Sequence, residues 1–172
     1  TGQVGDGNNR VNLLQALLSG EVDAIYSKGA HSVTLQERHG LRPLLDINAH
    51  PDPLTRVNAG TPRPITVNRD LVQRAPELVT QYLAVLLATA DWAAEHRDEA
   101  VAALAEETAS SAESILLGYG ETFHHRLRPS MNPTYRLGLA LQKNFLLQEG
   151  FLPADFDFDT WIDPAPLAAA EA

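Results

Sequence analysis

The sequence predicts an α/β fold that becomes helix-rich after residue 68. Three observations carry that expectation. Helix-spaced and strand-like segments alternate through roughly the first fifty residues, a proline-studded stretch then interrupts any regular element, and almost everything beyond it has the apolar periodicity of helices. Gly2, Gly5 and Gly7 make a flexible opening, after which Asn8 or Asn9 can cap a helix whose Val11, Leu14, Leu17 and Leu18 recur at helical spacing until Gly20 ends it. Residues 22–26 are short, apolar and β-capable, which predicts a strand. Ser27, Lys28 and Gly29 then turn into a helix over about 30–38, stopped by Gly40, and residues 41–47 form a second strand. Parallel pairing beneath flanking helices is the default for this rhythm.

Between residues 48 and 64 the texture changes. Pro51, Pro53, Pro62 and Pro64, with Gly60, forbid a continuous helix and predict an extended crossing segment at a lobe boundary. Residues 65–67 look like a strand. Pro76 suits a first helical turn with Glu77 beside it, and Leu78, Tyr82, Val85 and Leu86, widened by Val79, Leu83, Leu87 and Ala90, make an apolar stripe broad enough to predict deep burial. So broad a stripe, with so few strands before it, predicts apolar surface covered by another chain or a partner. Asp98 can cap the next helix, and Ser110 with Glu113 has capping-box spacing ahead of Ile115, with Gly118 and Gly120 closing that helix. Asn132 before Pro133 opens a last amphipathic helix through Leu137, Leu141 and Phe145, with Gly150 just past its end.

Composition narrows the function classes. The chain has 172 residues, 44% hydrophobic and 20% charged, which suits one domain or two thin lobes and excludes collagen-like and low-complexity classes. Thirteen Lys and Arg against 22 Asp and Glu leave a net charge of −9, which argues against a nucleic-acid partner. The absence of cysteine excludes a disulfide framework, a Cys-ligated zinc or iron–sulfur cluster and a thiol nucleophile in this chain. The longest apolar run, residues 82–94, contains Asp91 and is too short to span a bilayer. Residues 1–7 have no initiating Met, basic region or apolar stretch, so the chain is expected to open without a signal peptide, as a processed, cloned or excised piece.

Few constellations carry chemistry. The glycines at 2, 5 and 7 follow no strand and lack the dinucleotide-binding spacing. Adjacent His124 and His125 point apart on a helix or a strand and have no i,i+4 partner, so a surface or cap role is expected instead of a metal. Asp155, Asp157 and Asp159 start like a calcium loop, but Thr160 stands where Gly is needed and Pro166 where Glu is needed. Ser27, Ser32 and His31 lack a nucleophile elbow. No metal, cofactor or catalytic residue is expected. Tyr26, Ser27 and Lys28 are more informative: they stand where a strand gives way to a helix, a place where open sheets present side chains and helix N–H groups to anions, and Lys28 is one of only two lysines. An exposed, solvated turn is the competing reading. Arg56 and Asn58 in the crossing segment are weaker ligand-binding candidates, and Asp46, Asn48, His50 and Asp52 read as a solvated strand exit.

Taken together, Gly20-Glu21-Val22-Asp23-Ala24-Ile25-Tyr26, Asp91-Trp92-Ala93-Ala94-Glu95-His96, Gly118-Tyr119-Gly120 and Asn144-Phe145-Leu146-Leu147 resemble the second half of the bacterial sulfonate/nitrate/taurine substrate-binding family. Within that superfamily the chain looks closest to the hydroxybiphenyl sulfinate desulfinases, around residues 118–129 and 139–152. The resemblance implies the C-terminal part of a two-lobe type II periplasmic-binding-protein-like fold: residues 1–47 the end of one α/β lobe, 48–64 a crossing or hinge, and 65–172 the helical part of the other lobe. It implies a substrate-binding protein of ABC-transporter type for a small anionic, sulfonate-, sulfinate- or nitrate-like ligand, closing its lobes around an aromatic or anionic sulfur compound. Tyr26, Ser27 and Lys28 then line the cleft. The alternative is the cleft-forming portion of a desulfinase-like hydrolase that cleaves a carbon–sulfur bond. The desulfinases' catalytic Cys and its His and Arg partners belong to the half of the pattern that this sequence does not match, so no residue here inherits those roles. The partners implied are the missing N-terminal half or another copy of the chain, and an ABC permease in the transport case. The location is extracytoplasmic for a transport protein and cytoplasmic for a desulfinase.

Overall fold

The computed structural model describes residues 7–59 and 63–172, and for residues 7–12, 48 and 57–59 the backbone alone. Gly2 and Gly5 of the expected opening, and Gly60 and Pro62 of the crossing segment, lie outside the described residues. Helices α1 (Gly7–Leu18), α2 (Gly29–His39), α3 (Pro53–Ala59), α4 (Arg69–Arg74), α5 (Pro76–Glu95) and α6 (Arg97–Thr108) follow in order. Then come α7 (Ala112–Tyr119), α8 (Pro133–Gln148), α9 (Phe158–Trp161) and α10 (Ala165–Ala170), with 3₁₀ turns at Ile47–Ala49 and Phe123–Arg126.

The expected α/β class, and with it the two-lobe periplasmic-binding-type fold, is overturned: among the described residues every regular element is helical. Residues 22–26, 41–46 and 65–67 run without regular structure in place of the three expected strands. β-branched and aromatic side chains make a segment capable of being a strand, but only a neighbouring backbone makes it one. No strand stands beside them among the described residues, and Leu45 is left 78% exposed where a sheet would have covered it. Part of the crossing segment is also helical. Pro53, whose missing N–H is harmless at a helix start, opens α3, and Asp52 Oδ1 accepts from the Leu54 N–H at 2.9 Å.

The chain divides into two compact units, one of Thr1–Leu41 with Leu104–Glu121, the other of Arg42–Ala103 with Thr122–Ala172. In the first, α2 packs on α7. Ala30 and Leu35 of α2 and Ser114 and Ile115 of α7 are buried, Ile115 completely. Ser111, one residue beyond the expected cap, accepts from the Ser114 N–H at 3.0 Å. Ser114 Oγ, 2.9 Å from Ser111 Oγ, donates to Glu37 Oε2 at 3.4 Å, which ties the start of α7 to α2.

The second unit is organised by α5, opened by Pro76 as expected. Val79, Leu83 and Leu87 recur every fourth residue and bury a ridge against Leu167 of α10, with Val72, Leu86 and Ala170 packed beside it. The broad stripe is therefore buried along one side only: Leu78, Tyr82, Val85 and Trp92 stay exposed. Helix α8 opens on Asn132, whose Oδ1 accepts from the Thr134 N–H at 2.8 Å, and it packs on α3. The alternating aspartates after it have separate structural tasks. Asp155 accepts from Lys143 Nζ at 2.6 Å, Asp159 accepts from Arg136 at 2.6 Å, and Asp157 caps α9. The Lys143 hydrogen bond, then the Phe156 N–H, hold the Asp155 carboxyl below the usual carboxylate range. No helix among the described residues is long and apolar enough to cross a membrane.

Candidate functional site

Three of the five residues expected to bind ligand stand together at the start of α2. Lys28 precedes the helix in an extended conformation (φ −146°, ψ 157°), and its side chain, which has no acceptor atom, makes no capping bond. Gly29 then adopts φ +60°, the left-handed region open to glycine without strain, and turns the chain into α2. Tyr26 and Lys28 are exposed. Between them the Ser27 Oγ is buried and has no hydrogen-bond partner. A buried hydroxyl without a partner is costly, and next to a helix N-terminus it adds a donor to N–H groups that already favour negative charge.

A fourth residue joins them that sequence reasoning did not place at the site. Gly118 brings the end of α7 against α2 so closely that a Cβ placed on it would lie under 3.0 Å from Ala30 N and from Gly29 C. Tyr119 follows, and a Cβ on Gly29 would meet its Cζ and hydroxyl oxygen at 2.7 Å. A tyrosine ring and hydroxyl thus stand beside the residue where α2 begins. The Gly118-Tyr119-Gly120 stretch was conspicuous in the sequence, and small residues on both sides of Tyr119 were the available signal.

Arg56 and Asn58 belong to the other unit. The Arg56 guanidinium donates to His50 O at 2.7 Å and Pro51 O at 2.8 Å, so it staples its own loop to α3. Asn58 lies in α3 by its backbone, and its side chain is outside the described residues. His124, expected at the surface or in a cap, is instead buried in the Phe123–Arg126 turn. Among the described residues no group of three or more His, Asp and Glu is arranged to hold a metal ion.

Comparison with known proteins leads to enzymes acting on organic sulfur. In sequence, the chain is homologous to 2'-hydroxybiphenyl-2-sulfinate desulfinase. It is 30% identical over 148 residues to the enzymes of Rhodococcus erythropolis and Rhodococcus qingshengii, covering 86% of this chain and 39% of theirs. In structure it matches a cysteine-to-serine mutant of DszB crystallised with biphenyl-2-sulfinic acid, with a TM-score of 0.71, 25% identity, and coverage of 95% of this chain and 45% of that one. The chain therefore spans about two fifths of the length of the curated relatives it matches. No protein-family model matches it. These likenesses overturn the expectation of an ABC-transport substrate-binding protein and favour the desulfinase alternative. The transport expectation rested on the resemblance to the substrate-binding family, and a Tyr-Ser-Lys cluster before a helix suits a small anion in either class.

Proposed function

We propose that this chain forms part of a desulfinase-like hydrolase that cleaves the carbon–sulfur bond of an aryl sulfinate, and that the start of α2 is where it meets the sulfinate. The observation that carries the reading is the match to desulfinases over most of the chain, in sequence and in fold, one of them solved with biphenyl-2-sulfinic acid. The reaction balances simply: an aryl sulfinate and water give the arene and hydrogen sulfite. The local chemistry suits the substrate. The N–H groups of α2 and the Lys28 ammonium complement the sulfinate oxygens, the Ser27 Oγ can donate to one of them, and the Tyr119 ring offers an aromatic surface to the aryl group. The chain contains no cysteine, so a thiol nucleophile must come from elsewhere in the active assembly.

Calorimetric titration of the chain with biphenyl-2-sulfinate is expected to show binding that Lys28→Ala weakens by about 1–3 kcal/mol, the range for a lost charge-assisted hydrogen bond. Equal affinity of the two proteins removes Lys28 from the site, and failure of both to bind removes the start of α2 as a sulfinate seat. Turnover gives the second test. Incubated with 2'-hydroxybiphenyl-2-sulfinate, this chain alone is expected to release no sulfite above the protein-free control. Sulfite release that Ser27→Ala abolishes would show that a serine here replaces the thiol.

A further inference from the structure

The Phe123–Arg126 turn, in the second unit, packs against α5. Its sequence, Phe-His-His-Arg, holds three groups able to carry positive charge, yet His124 is only 6% exposed and Phe123 is buried beside it. The His124 ring meets Phe123 edge-on at 5.9 Å and His125 at 4.0 Å between centroids. Its Nδ1 is buried with no hydrogen-bond partner. Protonation would therefore place a charge where water is excluded and where no acceptor replaces it at Nδ1.

The surrounding charges add to this penalty. His125 on the same turn and Arg97 at the start of α6 both oppose a positive charge on His124, after the larger effect of burial, and hold it below the usual histidine range. Helix α5, the element beneath the turn, carries Glu77, Tyr82, Asp91 and Glu95. Of its carboxylates, Asp91 accepts from Arg128 at 2.5 Å. Just past its end, His96 stacks on Trp92 at 5.0 Å.

We propose that the Phe123–Arg126 turn is a pH-sensitive latch, seated on α5 while His124 is neutral and released when His124 takes up a proton. The sign follows from linkage. In the released turn His124 titrates near its ordinary value of 6.5, and in the seated turn below it. Between those two values the released form binds more protons, so each unit of falling pH shifts the balance toward release by up to ~10-fold. Above the upper value seating is insensitive to pH, and below the lower one the bias levels off.

Nuclear magnetic resonance of the chain from about pH 8 to about pH 4.5 tests this, following the His124 ring and the amides of residues 123–126. His124 is expected to titrate below 6.5, and hydrogen-exchange protection of the turn to fall in the same window, after correction for intrinsic exchange. His124→Phe keeps an aromatic ring but cannot take a proton, and is expected to make that protection independent of pH. His125→Ala removes one opposing charge and is expected to shrink the pH-driven loss. Titration of His124 at or above 6.5, or protection that persists through its titration, overturns the proposal without recourse to either variant. Undiminished pH dependence in a folded His124→Phe protein overturns it as well.

Discussion

Alanine in place of Gly118 is expected to destabilise the first unit by about 3 kcal/mol or more, at the upper end of overpacking effects. The reason is what the added methyl would meet. Its nearest neighbours would be Ala30 N, Gly29 C and Ala30 Cα, each under 3.0 Å away and each a backbone atom that no rotamer change can move aside. Relief requires α7 to separate from α2, which uncovers the fully buried Ile115 and the buried Ala30 together. Gly20 supplies the control. It sits at φ +78° with nothing within 4 Å of the point where a methyl group would stand, so alanine there carries only the left-handed backbone penalty of about 1–2 kcal/mol. Urea unfolding of both variants reads the difference directly. A Gly118→Ala midpoint no lower than that of Gly20→Ala would show that the two helices do not pack backbone to backbone.

Truncation of Leu87 to alanine is expected to cost about 2–5 kcal/mol in the second unit, the range for emptying a buried leucine site. Leu87 lies within the ridge that α5 presents to Leu167 of α10. Its loss should fall most heavily on α10, six residues long, because a helix of that length has no stability apart from what it packs against. Hydrogen exchange of residues 165–170 should therefore accelerate along with the drop in urea midpoint. Val85→Ala on the exposed side of the same helix is the comparison, expected to stay within about 0.5 kcal/mol. Equal effects of the two substitutions would mean that the burial assigned to the two sides of α5 is wrong.

The helices were legible wherever a start or stop has its own chemistry. Asn132 with Pro133, Pro76, Gly40 and Gly150 mark ends that depend on one residue's donor, ring or φ angle, and the structure has helix ends at each. The strands were not legible, because alternation and β-branching describe one segment whereas a ladder belongs to two. The α5 stripe failed in a related way: periodicity reports that both sides are apolar, and only the position of α10 decides that the Val79 side is buried and the Val85 side is not. At the candidate site, Tyr26, Ser27 and Lys28 were singled out as standing between a strand and a helix; the helix start is local information and is there, whereas the strand before it is not. Tyr119 reaches Gly29 through the packing of α7 on α2, and Arg56 spends its donors on two nearby carbonyls, neither of which composition or spacing can express. His124 is the same lesson in a single residue: the two adjacent histidines were expected to point apart, yet in the 3₁₀ turn their rings lie 4.0 Å apart between centroids, and the burial of His124 depends on α5 beneath the turn.

The exposed side of α5 also governs how molecules of this chain behave toward one another in concentrated solution. Leu78, Tyr82, Val85 and Trp92 are spaced by four, three and seven residues, so they form a continuous greasy seam along a helix of 20 residues. Opposing it is a net charge of −9 at neutral pH, which keeps copies apart by long-range repulsion. The two influences respond differently to conditions. Added salt shortens the reach of the repulsion and a sulfate salt strengthens apolar association, while acidification toward the isoelectric point near 5.0 removes the repulsion at its source. Colloidal stability is therefore greatest in dilute salt on the alkaline side of neutrality, and the same seam makes hydrophobic-interaction media retain the chain once ammonium sulfate is raised.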